Sequence, residues 1–158
     1  MEYYKKLFRS FVYAFRGVAR TIKTERNMRI HITCVIYMFS ILGFTDWFSL
    51  DRSDWAILVL ASGAVLTCEV INTAVENAVN LATSEFSKFA EASKDAAAGA
   101  VLVSAVFAVI TGIIIMYQPK AFTMMLEHFK ARPAELAAFV LSIIPATLFI
   151  FLPKRKKQ

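Results

Sequence analysis

The run WAILVLASGAVLTCEVINTAVENAVNL, Trp55 to Leu81, is the stretch on which the reading of the fold turns. No charge interrupts it before Glu69. About 20 apolar helical residues cross a hydrocarbon core roughly 30 Å thick, so the run predicts a membrane span. Its second half is different in kind. Glu69, Asn72, Thr73, Glu76 and Asn80 recur at spacings that fall along one stripe of a helix, while Val70, Ile71, Ala74, Val75, Ala78 and Val79 cover the remaining surface. Carboxylates turned to lipid are costly, so the stripe must face protein, water or a cation. Counting about 20 residues from Trp55 reaches about Ala74. Glu69 is therefore expected just inside one membrane border and Glu76 at or beyond it.

Working outward, three more segments are long and apolar enough to span: Ile30 to Phe48, Ala96 to Tyr117, and Ala134 to Leu152. Pro145 in the last is tolerable as a kink, with a re-entrant hairpin as the alternative. Between Tyr3 and Glu25, Leu7, Phe11, Ala14, Phe15 and Val18 recur at helical spacing, with Lys6, Arg9, Arg16, Arg20 and Lys23 mostly opposite. That is the pattern of a basic amphipathic helix lying in the headgroup layer. The expected fold is all-α: an integral membrane helical bundle with an N-terminal interfacial amphipathic helix, three core spans and a fourth at the C-terminus. Residues 1–117 form the core, and residues 118–158 supply an outer loop, the additional span and a basic tail.

Composition agrees. The chain is 58 % hydrophobic, against about 45–50 % in a soluble domain. Its net charge of +6 is placed as membrane borders are rather than as a nucleic-acid surface. Lys5, Lys6, Arg9, Arg16, Arg20, Lys23, Arg26 and Arg29 precede or open the first span, and Lys154, Arg155, Lys156 and Lys157 close the chain. With both termini cytoplasmic, Lys88 and Lys94 of the loop from Phe86 to Lys94 also lie inside. Only Arg52, Lys120, Lys130 and Arg132 then lie outside, as the positive-inside rule requires. Trp47, Trp55 and Tyr117 fall near the outer border. The N-terminus does not read as a secretory signal. Cys34 and Cys68 lie in apolar segments with no CxxC partner, which indicates buried hydrophobes rather than a metal or redox site.

Chemistry concentrates at the inner border. Glu25 stands where the amphipathic helix meets the first span, and Lys94-Asp95 opens the third, where Asp95 could cap the helix N-terminus. Carboxylates that hold Mg²⁺ against phosphate, cations that offset phosphate charge, and a carboxylate that accepts a hydroxyl proton are the parts phosphoryl transfer needs. The chain has no Walker A motif and no Gly-rich kinase loop. Pattern alone thus gives an acidic site at a membrane interface, with a kinase as one option and a small proton-coupled transporter using Glu69 as another. His31 reads as an interfacial anchor and His128 as inert. Gly63 and Gly112 suit close helix approach within or between subunits.

Glu69-Val70-Ile71-Asn72-Thr73-Ala74-Val75-Glu76-Asn77, followed by Lys94-Asp95-Ala96-Ala97-Ala98-Gly99-Ala100-Val101, strongly resembles the prokaryotic diacylglycerol kinase family. Phe15-Arg16-Gly17 and Glu25-Arg26-Asn27-Met28-Arg29-Ile30-His31 extend the resemblance over about residues 5 to 117. It implies a homotrimeric kinase of the bacterial plasma membrane that transfers the ATP γ-phosphate to a lipid alcohol with Mg²⁺, at sites shared between subunits. By position, Glu69 is implied as general base and Glu25 and Glu76 as magnesium and ATP-phosphate ligands. Lys6, Tyr13, Glu85, Lys94 and Asp95 are implied at the nucleotide, and Arg9, Asn72 and Glu69 at the lipid substrate. Asn80 departs from a frequent Asp, Phe86-Ser87 from the usual Tyr-His, and residues 118–158 from the common core. The Glu25 to His31 run is more similar to members that phosphorylate undecaprenol than to enterobacterial diacylglycerol kinases.

Overall fold

A computed structural model describes residues 2–83 and 87–151, and among them there are helices and no strand. The order is α1 Glu2–Thr24, α2 Arg26–Phe44, α3 Arg52–Ala82, α4 Lys88–Met116, α5 Pro119–Ala131 and α6 Pro133–Ile150. Helices α2, α3, α4 and α6 are each long and apolar enough to cross a membrane. Leu60, Leu102, Ile114 and Leu148 are among many large apolar side chains left exposed on them. That is the surface of a bundle solvated by lipid, because exposed apolar area on this scale is not tolerated in water. The chain is an integral membrane helical bundle.

At 31 residues, α3 is about 46 Å long at 1.5 Å per residue, well beyond one hydrocarbon thickness. It starts on a capping box: Asp51 accepts from the Asp54 N–H at 2.8 Å, and Asp54 accepts from the Asp51 N–H at 3.0 Å. α4 packs along it more extensively than any other two helices pack among the described residues. Beside their contact runs a groove of about 550 Å³ lined by small residues, among them Ala61, Ala64, Gly99 and Ala100. Gly63 and Gly112 do not serve this contact: a Cβ at either would meet nothing within 4 Å. Close approach within the chain is therefore not their use.

Boundaries differ from the sequence expectations at several helix ends. α2 stops at Phe44, and α4 begins at Lys88 behind Ser87. Lys88 to Lys94 is therefore helix rather than loop, and Asp95 lies two turns inside α4 instead of capping it. The outer segment is helical too. Gln118 bridges to the Ser49 N–H and C=O at 3.0 Å each, and α5 starts directly after it on Pro119. His128 is not idle structurally. It pairs with Glu135 at 2.7 Å and meets the Trp47 ring edge-on, which ties α5 to α6 and to the loop between α2 and α3. α6 continues through Pro145 as one helix, so a re-entrant hairpin is not formed.

Among the described residues of α1, Thr21 near its end is the buried one. Leu7, Phe8, Phe11 and Phe15 are all exposed, so no described part of the chain covers the aromatic face.

Candidate active site

The acidic stripe divides by depth. Glu69 is 1 % exposed and Thr73 5 %. Asn72 and Glu76 are half-buried and Asn80 is exposed. Thr73 returns its hydroxyl to the Glu69 carbonyl at 3.0 Å, as a threonine inside a helix can. Asn72 Nδ2 donates to Glu76 Oε1 at 3.2 Å, an i,i+4 pair that limits where the carboxylate can point.

Opposite the stripe stands the first turn and a half of α2. Glu25, half-buried, occupies the joint between α1 and α2 in an extended conformation (φ −106°, ψ 120°). The Asn27 side chain lies beside the Glu69 carboxylate, and Glu25 and Glu76 both lie near enough to repel its charge. His31 Nε2 stands 3.6 Å from Glu69 Oε1, just too long for a hydrogen bond. Oε1 of Glu69 and Oδ1 of Asn72 are buried with no hydrogen-bond partner.

These groups line a cavity of about 250 Å³. Asn27, His31, Glu69 and Asn72 form its polar side, and Ala98 and Leu102 of α4 are part of its apolar wall. An unpaired buried carboxylate oxygen is expensive unless something else satisfies it. The cavity beside it has room for a hydroxyl-bearing chain end. Neither Glu69 nor Glu76 has a lysine or arginine within ion-pair distance among the described residues. No three His, Cys, Asp or Glu side chains there gather closely enough to hold a metal unaided.

Of the site residues expected from sequence, the structure brings Glu25, Glu69, Asn72 and Glu76 together. Lys94 is half-buried and Asp95 exposed on α4, and neither lines the cavity. Lys6 pairs with Glu2 at 3.7 Å in solvent, Tyr13 is 63 % exposed, and Arg9 lies in a shallow depression with Tyr4 and Phe8. Glu85 and Phe86 fall outside the described residues, as do Lys154 to Lys157. Sequence reasoning missed Asn27 and treated His31 as an anchor. Their i,i+4 spacing puts both on one face of α2, a signal present in the sequence, but that this face meets Glu69 is set by how the helices pack.

The family profile that matches residues 12–116 is that of prokaryotic diacylglycerol kinase. An undecaprenol kinase of Bacillus subtilis is 41 % identical over 115 residues, covering 73 % of this chain and 90 % of that protein. A diacylglycerol kinase of Synechocystis is 36 % identical over 111 residues, covering 70 % of this chain and 62 % of the relative. A diacylglycerol kinase of Helicobacter pylori is 27 % identical over 104 residues, covering 66 % of this chain and 79 % of that protein. With the family match running from the middle of α1 to the end of α4, over the helices that enclose the buried carboxylate, the chain belongs to the prokaryotic diacylglycerol kinase family and is a membrane lipid kinase.

Proposed function

We propose that this chain phosphorylates undecaprenol, with diacylglycerol as the competing acceptor, and that Glu69 is the general base. The observation that carries the reading is the unpaired, buried Oε1 of Glu69 at the edge of a cavity. A lipid alcohol entering that cavity donates its hydroxyl proton to Oε1. Its oxygen then forms a bond to the γ-phosphorus of ATP, the bond from that phosphorus to the β,γ-bridging oxygen breaks, and ADP leaves with the electron pair. Asn27, on the same cavity wall, would steady the carboxylate before substrate arrives. The name and 41 % identity of the Bacillus subtilis relative support undecaprenol as acceptor.

The donor set suits Mg²⁺, which takes hard oxygens and usually only one or two carboxylates from protein. Glu25 and Glu76 would hold it, and the ion when bound offsets charge on the phosphates. Mutual repulsion among Glu25, Glu69 and Glu76 favours a cation at this point. Asn72 restrains Glu76 for that task. α1, with its uncovered aromatic face, lies in the headgroup layer and brings Lys6, Arg9 and Tyr13 to the nucleotide and lipid side. Lys94, Asp95 and Glu85 complete the nucleotide contacts in a homotrimer whose protomers share sites. The small-residue groove beside α3 and α4 is where a second copy packs. Both termini are cytoplasmic in the bacterial plasma membrane.

The test is direct. Purified protein with Mg²⁺ and labelled ATP is offered undecaprenol and diacylglycerol in parallel. Labelled lipid should form, more from undecaprenol. Glu69→Gln should reduce the rate by about a thousandfold or more, as loss of a general base does, and Glu76→Gln should do so through nucleotide binding. If neither lipid is labelled but cations accumulate against a pH gradient, Glu69 serves a transporter instead.

A further inference from the structure

α6 lies wholly outside the family match, yet its last residue reaches Arg29, two residues after Asn27 of the site. Arg29 is 3 % exposed. Its Nε donates to the Ile150 carbonyl at 3.1 Å, and its Nη1 donates to the Lys23 carbonyl at 3.1 Å and the Ile22 carbonyl at 3.5 Å. Ile22 and Lys23 are in the last turn of α1, and Ile150 is the last residue of α6. Terminal carbonyls have no partner within their own helices and carry the negative end of the helix dipole. One guanidinium thus closes two helix ends at once, a task suited to its rigid fork of donors.

We infer that Arg29 is a positioning residue through which the fourth span sets the geometry of Glu25 and Asn27. Glu25 comes two residues after Lys23, and Asn27 comes two before Arg29. The guanidinium therefore grips the α1–α2 joint from the side of each. Against α2, α6 is seated by the side-chain hydrogen bond of Tyr37 to Ser142 at 2.7 Å, beside an edge-on contact of the Tyr37 and Phe139 rings, while the His128–Glu135 pair holds its start to α5. Ser142 Oγ already donates to the Phe139 carbonyl at 2.6 Å, so Tyr37 is the donor. Tyr37 is eight residues on from Arg29, and Ser142 is eight back from Ile150. The two contacts therefore lie in one antiparallel register, about 12 Å apart along the helices. No residue of α6 is buried. How α6 seats against α2 therefore decides whether Ile150 reaches Arg29.

This inference rests on the kinase reading, and the experiment separates the two. Full-length Arg29→Lys, Tyr37→Phe and the double variant are assayed beside the unaltered chain for phosphoryl transfer and thermal unfolding. Lysine keeps the charge but cannot span three carbonyls. Arg29→Lys should raise KM for Mg-ATP about tenfold and leave kcat and the lipid KM within about twofold. Tyr37→Phe, remote from the site, should raise the same KM about two- to threefold. The double variant should be no worse than Arg29→Lys, because both changes act through one contact. A simple helix cap would lower the unfolding midpoint and leave KM alone, and that result overturns the inference, as does multiplication of the two KM effects. The unfolding midpoints of the same four proteins must also fall short of additivity, a readout that needs no activity. Coupled midpoints in a chain that labels no lipid would mean that the kinase reading fails while the Arg29 link stands. If Arg29→Lys does not fold, Tyr37→Phe and Ser142→Ala carry the test from the α6 side, and an unchanged KM in both overturns it.

Discussion

Glu69 acquires its character from neighbours that are distant in the chain. A glutamate on an apolar helix is merely anomalous in sequence. At 1 % exposure beside Asn27 and His31, with one oxygen lacking a hydrogen-bond partner, it is the carboxylate we propose as the general base. His31 is the only basic side chain within ion-pair distance of it among the described residues. Substrate binding that closes the 3.6 Å gap would let the imidazole restrain or relieve the carboxylate. His31→Ala is accordingly expected to lower kcat about tenfold with the KM for Mg-ATP unchanged. Equal turnover in steady-state assays would reduce the contact to packing. The carboxylates themselves were legible from the i, i+3, i+4, i+7 stripe. Asn27 and His31 were not read as site residues, because hydropathy marks the start of a span without giving the rotation of the helix that starts there.

At the scale of elements, hydropathy located every span but misjudged several ends. α4 begins at Lys88 rather than Ala96, and α2 stops at Phe44 rather than Phe48. Charged residues such as Lys88, Glu91, Lys94 and Asp95 continue a helix readily once it leaves the hydrocarbon, so the helix outlasts its apolar segment. The start of α3 has a definite chemical cause in the reciprocal Asp51 and Asp54 bonds. Asp51→Ala should cost about 1 kcal/mol, the usual value of an N-cap, seen as a lower unfolding midpoint in detergent. Its kinase activity should match the unaltered chain, because the cap lies at the far end of α3 from Glu76. A loss of activity without loss of stability would place Asp51 in some other role.

For the whole molecule, the arrangement of apolar surface is the main result. The α3–α4 groove is left open by the described residues, and a Cβ at Gly63 or Gly112 meets nothing within 4 Å. Gly63→Ala and Gly112→Ala should therefore spare the protomer, and helix propensity alone favours alanine by about 1 kcal/mol. Where these glycines admit a second copy, the same variants should lower the trimeric fraction in cross-linking of the purified protein. An unaltered fraction would put the subunit contact elsewhere. The amino-acid sequence by itself determined that this is a four-span helical membrane protein with a basic N-terminal helix and an acidic stripe on its second span. Each of those properties is periodic and local, and lipid as solvent leaves helices little alternative. Only the tertiary structure decided that Asn27 and His31 meet Glu69, and that Arg29 joins the ends of α1 and α6. Such contacts depend on helix rotation and antiparallel register between segments as much as 121 residues apart, which no local period encodes.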